Sequence, residues 1–213
     1  MAEDGQKAGL TGRPRPPQSL LSVDNSISFV PAPDLVEWIS ATFLEGGAPL
    51  FNEDHQHLVY ATIGALWTVV PNARNGRGIV GQAELGSTMG GIGKWTRARA
   101  EQQIVEWFGS VPDFVITLFA PYAENCDDAT FCALVEHELS HCGQEPDEYG
   151  MPRFKKSGLP AFCMRGHDVE EFIGVVRRYG ADAAGVRAMI EAAAEGPTIA
   201  AADISFACGN CQK

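Results

Sequence analysis

The run His137-Glu138-Leu139-Ser140-His141 constrains this chain more than any other stretch. Two histidines four residues apart on a helix stand one turn apart, so both can reach one metal ion. At about 100° per residue they lie about 40° apart around the helix axis. Neutral imidazole is a good zinc ligand, and Glu138 is placed to take a proton from a water that the metal activates. The flanks suit a buried active-site helix. Leu134, Val135, Leu139, Ser140, Cys142 and Gly143 carry no charge, and Phe131, Val135, Leu139 and Cys142 form a separate apolar face. Asp127 or Asp128 can cap the start, and Gly143 can end the helix.

A catalytic zinc site needs a third protein ligand and leaves one position for water. Downstream of the motif the remaining histidine is His167, in Arg165-Gly166-His167-Asp168-Val169-Glu170-Glu171-Phe172. Gly166 allows a tight turn into a following helix. Glu170 and Glu171 are the other candidates, since a carboxylate can replace a histidine; their bland role is an exposed charge at a helix N-terminus. His167 is the preferred ligand, because a lone histidine here is otherwise hard to account for. Asp168 either orients a group of the site or caps the helix.

The 213 residues suffice for one sizeable core. No apolar run approaches the ~20 residues of a membrane span, and the start Met1-Ala2-Glu3-Asp4-Gly5 does not read as a secretory signal. These features point to the cytoplasm. A net charge of -11 argues against sequence-independent binding to nucleic acid. Lys155, Lys156, Arg165, Arg177 and Arg178 read as solvated faces. In a cytoplasmic chain Cys126, Cys132, Cys142, Cys163, Cys208 and Cys211 are reduced thiols or metal ligands. Cys142 points toward the core face and reads as packing. Cys208-Gly209-Asn210-Cys211 is a possible second metal site, half of a zinc ribbon whose other pair must come from elsewhere; the bland reading is a thiol-bearing tail.

Three parts follow along the chain. Residues 1–24, with Gly12-Arg13-Pro14-Arg15-Pro16-Pro17, read as a flexible arm. Residues 25–196 form the domain, and 197–213 the tail. Val36 to Leu44 and His55 to Val69 look helical, the second with Leu58, Ala61, Thr62, Ala65 and Leu66 as its stripe. His55 and His57 read as surface histidines. Ile79 to Leu85 reads as a strand, and Gly86 to Lys94 as a turn or flap; Thr88 and Trp95 break a phosphate-loop pattern. Arg97 to Phe108 reads as helix and Asp113 to Ala120 as the clearest strand, leading directly into the motif helix. Residues 151–166 suggest a hairpin. Asp168 to Tyr179, ended by Gly180, and Asp182 to Glu195 read as helices.

Ala133-Leu134 running into His137-Glu138-Leu139-Ser140-His141-Cys142, then Gly166-His167-Asp168-Val169-Glu170-Glu171-Phe172 and Tyr179-Gly180, resembles the phage metallopeptidase family of phages and prophages. That family is similar in pattern to SprT-like zinc peptidases. The resemblance spans about residues 58–180. It implies a small α+β, zincin-like (SprT-like) metallopeptidase domain, with a short, mainly antiparallel sheet packed on the motif helix. It implies Zn²⁺ held by His137, His141 and His167, Glu138 as catalytic base, and a protein or peptide substrate inside the host cell. It also suggests that the strand at 113–120 is an edge strand that pairs with extended substrate, and that Tyr122 or Tyr149 polarises the oxyanion. The longer gap from His141 to His167 and the later Phe172 depart from the SprT-like pattern, so a SprT-like substrate is not implied. Two rivals remain: a non-catalytic zinc fold that binds a partner, and a nucleic-acid-associated protease. Oligomeric state is open.

Overall fold

The computed structural model describes residues 12–74, 76–87, 93–169, 173–181 and 186–204. Its elements run α1 (Gln18–Leu21), β1 (Phe29–Pro31), α2 (Pro33–Ile39) and a π-helical turn (Ser40–Leu44), then a 3-10 segment (Glu53–Tyr60) and β2 (Ile63–Thr68). Next come β3 (Asn72–Arg74), β4 (Arg77–Ile79), β5 (Gly81–Leu85), α3 (Lys94–Phe108), β6 (Phe114–Phe119) and α4 (Ala120–Asn125). The chain continues with α5 (Asp128–His141), β7 (Cys142–Gln144), β8 (Phe162–Met164), α6 (Ile173–Tyr179) and α7 (Arg187–Glu195). Helices and small sheets mix, as an α+β reading requires.

The main sheet has the order β1-β2-β6-β5. Its outer pairs are antiparallel, and its central pair, β2 with β6, is parallel from Ile63↔Phe114 to Thr68↔Phe119. Two further antiparallel pairs, β3-β4 and β7-β8, complete the strands. One face of the main sheet carries Ala65, Trp67, Ala83, Phe114, Ile116 and Leu118, all buried. Against it α5 sets Phe131, Leu134, Val135 and Leu139, each without exposed surface. Phe131 joins Trp67 and Trp38, with ring centroids 6.2 and 5.6 Å away. This burial of apolar area holds the motif helix on the sheet.

Several expectations change. Val36 to Leu44 is helical as read, with Pro33 in the first turn. His55 to Val69 is not one helix but a 3-10 segment followed by the central strand β2. A strand buried on both faces gives a continuous apolar run, which periodicity cannot separate from a helix. Gly64 marks the difference, because a Cβ there would come within 2.8 Å of the Phe108 ring. The strand at 113–120 is internal, so the expected edge strand is corrected: among the described residues the edge strand on the motif-helix side is β5. It also does not lead straight into the motif helix, since α4 intervenes.

The segment expected as a flexible arm is docked from Gly12 onward. The Arg13 guanidinium bonds the Asp128 carboxylate at 2.8 Å and the carbonyls of Ala123 and Cys126 at 2.8 and 2.7 Å. It also lies 4.3 Å from the Phe131 ring centroid. Leu20 is buried in the core. Residues 151–166 do turn back on themselves, with a bridge between Phe154 and Pro160, and their β8 pairs with the earlier β7. Asp168 and Val169 are not helical, and α6 as described starts at Ile173. Gly180 ends α6 at φ 87°, its N–H bonded to Val176 O at 2.9 Å. Residues 1–11, the core of the glycine-rich loop at 88–92, Glu170, Glu171, Phe172, and Cys208 and Cys211 lie outside the described residues.

Candidate metal centre

Asp127 starts the motif helix by accepting from Thr130 N at 2.8 Å and from Thr130 Oγ1 at 3.0 Å. These bonds, the backbone one first, hold the Asp127 carboxyl below its usual pKa. At the other end the chain passes from His141 directly into β7. Gly143 is therefore a strand residue and not the expected helix stop. Its hydrogen-sized side chain leaves room for Arg165, whose Cβ would stand 3.1 Å from an added methyl. Cys142 is packed in the core as expected, its thiol 3.4 Å from Glu138 O. Burial pushes that thiol well above the ordinary range.

The β7-β8 pair returns the chain to the end of α5. Arg165 N donates to His141 O at 2.8 Å, and His167 follows two residues later. Three imidazoles meet there. Nε2 of His137 lies 3.3 Å from Nε2 of His141 and 3.4 Å from Nε2 of His167. One nitrogen from each ring falls within 4.8 Å of the others. Tetrahedral zinc with Zn–N bonds of about 2.0–2.1 Å needs its nitrogens about 3.3–3.4 Å apart. The donor set and its spacing therefore fit one such ion.

The protonation states fit as well. Burial, then His141 and His167, lower the His137 pKa to about 4. Burial also lowers that of His141. Both rings are thus neutral, the ligating form, at pH 7. The carbonyl of Arg165 accepts from His141 Nδ1 at 2.7 Å. A proton held on Nδ1 leaves Nε2 free to face a metal. That carbonyl has no signature in the sequence; only the pairing of β7 with β8 reveals it.

Glu138 stands between the two motif histidines on α5. It has no exposed surface, and it packs between α5 and β5. A Cβ on Gly81 would fall 2.8 Å from its Oε1 and 2.8 Å from Leu134 Cδ1. Burial raises its pKa to about 8, opposed by the Ala83 backbone N–H. Neither carboxylate oxygen makes a full hydrogen bond among the described residues.

A cavity of about 430 Å³ opens at the histidines, lined also by Asp54, Ser140, Arg165, Gly166, Asp168, Val169 and Met189. Asp54 and Met189 were not legible as site residues, because distant segments bring them in. Neither Tyr122 nor Tyr149 lines the cavity; Tyr122 OH lies 3.4 Å from Asp203 O, and Tyr149 is exposed on the hairpin. Asp168 pairs with Arg165. Gly166 has no positive φ, and a Cβ there meets open space, so no tight turn demands it. His55, expected at the surface, is 2 % exposed. His57 Nε2 lies 2.7 Å from Cys142 O and tethers the 3-10 segment to the end of α5.

The family model described as "Putative phage metallopeptidase" matches residues 36–194, which include the motif helix and His167. No curated protein and no solved structure matches the chain. No described helix is long and apolar enough to cross a membrane.

Proposed function

The chain belongs to the phage metallopeptidase family, and on that premise we propose that it is a zinc-dependent peptidase with His137, His141 and His167 as the metal ligands. The observation that carries this reading is the approach of the three Nε2 atoms, at 3.3 and 3.4 Å from His137 to the other two. Zinc bound there supplies the Lewis acidity that polarises a peptide carbonyl and makes water nucleophilic near neutral pH. The three histidines hold the ion and leave one side to the cavity. Glu138 takes the proton of the attacking water on its carboxylate and delivers it to the leaving amine as the C–N bond breaks. It must be ionised to do so. The pKa of about 8 belongs to the metal-free protein; a nearby dication favours the carboxylate and lowers it.

The substrate is a polypeptide, and β5 is the strand that receives it. In the β5-β6 register the backbone groups of Gly81, Ala83 and Leu85 point away from β6. Ala83 N–H already faces Glu138. An extended chain added along β5 would run past that carboxylate, with main-chain pairing that makes little demand on sequence. We assign the peptidase unit to residues 25–196, with a zincin-like, SprT-like build. Residues 197–213 form a tail whose Cys208 and Cys211 can bind a second zinc. We assign the protein a phage or prophage origin, with action in the host cytoplasm, a reading that the family match supports.

One observation favours a second reading, a non-catalytic zinc fold that binds a partner protein: Glu138 does not line the histidine cavity. Glu138→Gln separates the two. The peptidase reading expects wild type to hydrolyse an unfolded protein such as casein, and the variant to keep its zinc and lose about 10²–10⁴ in rate. Full activity in the variant overturns Glu138 as base. A zinc-loaded wild type that cleaves no peptide bond leaves the binding fold.

A further inference from the structure

Arg165 holds a place in the site that metal binding does not use. Its backbone is fixed to a ligand histidine in both directions: N–H to His141 O at 2.8 Å, and C=O from His141 Nδ1 at 2.7 Å. The main chain from which its side chain starts is therefore fixed beside the His141 ligand. Arg165 lines the histidine cavity, and among the described lining residues no other is a lysine or arginine. The guanidinium is half exposed, and its recorded partner is the Asp168 carboxylate, whose side chain is 72 % exposed.

A guanidinium offers a planar fork that matches a carboxylate. An ion pair this open to water is weak and exchangeable. Asp168 thus shows what the fork accepts at the lip of the cavity, and it can be displaced. Asp54 and Asp168 also line the cavity, so their charges offset much of the positive charge that a bound zinc and Arg165 bring. Among the described side chains, the one guanidinium is what can single out a carboxylate by geometry.

We propose that Arg165 is a specificity residue: it binds a carboxylate of the substrate next to the bond to be cleaved, and Asp168 is the internal carboxylate that yields to it. The carboxylate belongs to an Asp or Glu side chain or to the C-terminus of the substrate. The inference rests on the peptidase reading for its biological sense but not for its test, which measures binding.

The probes are fluorescent pools of short peptides, randomised except at one central residue. One pool carries Glu there and one Gln, both amidated at the C-terminus; a third carries Gln and a free C-terminal carboxylate. Anisotropy titrations use the full chain carrying Glu138→Gln, with zinc and after its removal. The proposal expects a carboxylate-bearing pool to bind roughly tenfold tighter than the amidated Gln pool, as one charge-assisted contact gives. Which pool gains identifies the source of the carboxylate. Adding Arg165→Gln abolishes the preference while zinc content stays the same, because the contacts to His141 are made by backbone. Adding Asp168→Asn increases it, which a purely structural ion pair would not do. Equal binding of all three pools, or a preference that survives Arg165→Gln, overturns the proposal. Cleavage assays on the Glu138 wild type report separately on the peptidase reading.

Discussion

The cavity chemistry turns on a few side chains whose neighbours leave little slack. Gly81 is the clearest case. Its missing Cβ would stand 2.8 Å from both Glu138 Oε1 and Leu134 Cδ1, and Leu134 is fully buried. Gly81→Ala is therefore expected to cost about 1–3 kcal/mol of stability, as overpacking does. It should also displace the Glu138 carboxylate, so that peptide hydrolysis falls while zinc content is kept; urea unfolding and metal analysis check the two parts. His55 gives a pH signature. Its pKa is lowered to about 4, by burial first and then by His57. In the unfolded chain the same group takes up its proton near pH 6.5. Between those values the unfolded state binds more protons, so this residue contributes stability above pH 6.5 that is lost as pH falls toward 4. The loss amounts to on the order of 2 kcal/mol by pH 5. Urea midpoints of metal-free protein at pH 7 and pH 5 should differ less in His55→Leu than in wild type; an equal difference would show that His55 does not titrate this way. The histidine motif itself was legible in the sequence because its chemistry is local. The burial of His55 was not, since a residue between polar neighbours gives no sign of what folds over it.

At the scale of elements, the motif helix depends on a segment outside the region that the family model matches. Arg13 reaches the first turn of α5 and the end of α4 with three hydrogen bonds between 2.7 and 2.8 Å. Its side chain is 1 % exposed. Arg13→Met keeps much of the volume but strands the Asp128 carboxylate and two carbonyls. It is expected to destabilise the protein by about 2 kcal/mol or more, measured by thermal or urea unfolding. A change below about 0.5 kcal/mol, the size of an ordinary surface substitution, would mean that the segment is not docked in solution. Composition hid this contact: Gly, Pro and Arg together read as an open arm, and one buried guanidinium leaves no periodic trace. The elements α3, β5, β6 and the Gly180 stop of α6 were legible, β6 through its run of Phe, Val and Ile although both of its faces are buried. The strand β2 was not, because burial on both faces removes the alternation that marks a strand. Strand order was not either. That β5 and not β6 forms the edge beside Glu138 follows from pairings over long separations, which no local pattern encodes.

For the whole molecule, the sheet and the β7-β8 pair serve one arrangement. The core between the main sheet and α5 fixes His137 and His141, and the hairpin carries His167 back to them across 26 residues of chain. Two of the three proposed ligands are set by one helix, and the third by tertiary structure, which is why the sequence left His167, Glu170 and Glu171 in competition. The described structure places His167 with the other two histidines. The central claim is that these three side chains hold one zinc ion, and elemental analysis of purified, unchelated protein tests it most directly. Wild type should carry one zinc at this site, and His167→Ala should lose it while Cys208→Ser/Cys211→Ser keeps it. A folded wild type without zinc, or a His167→Ala variant that binds it undiminished, would contradict the account.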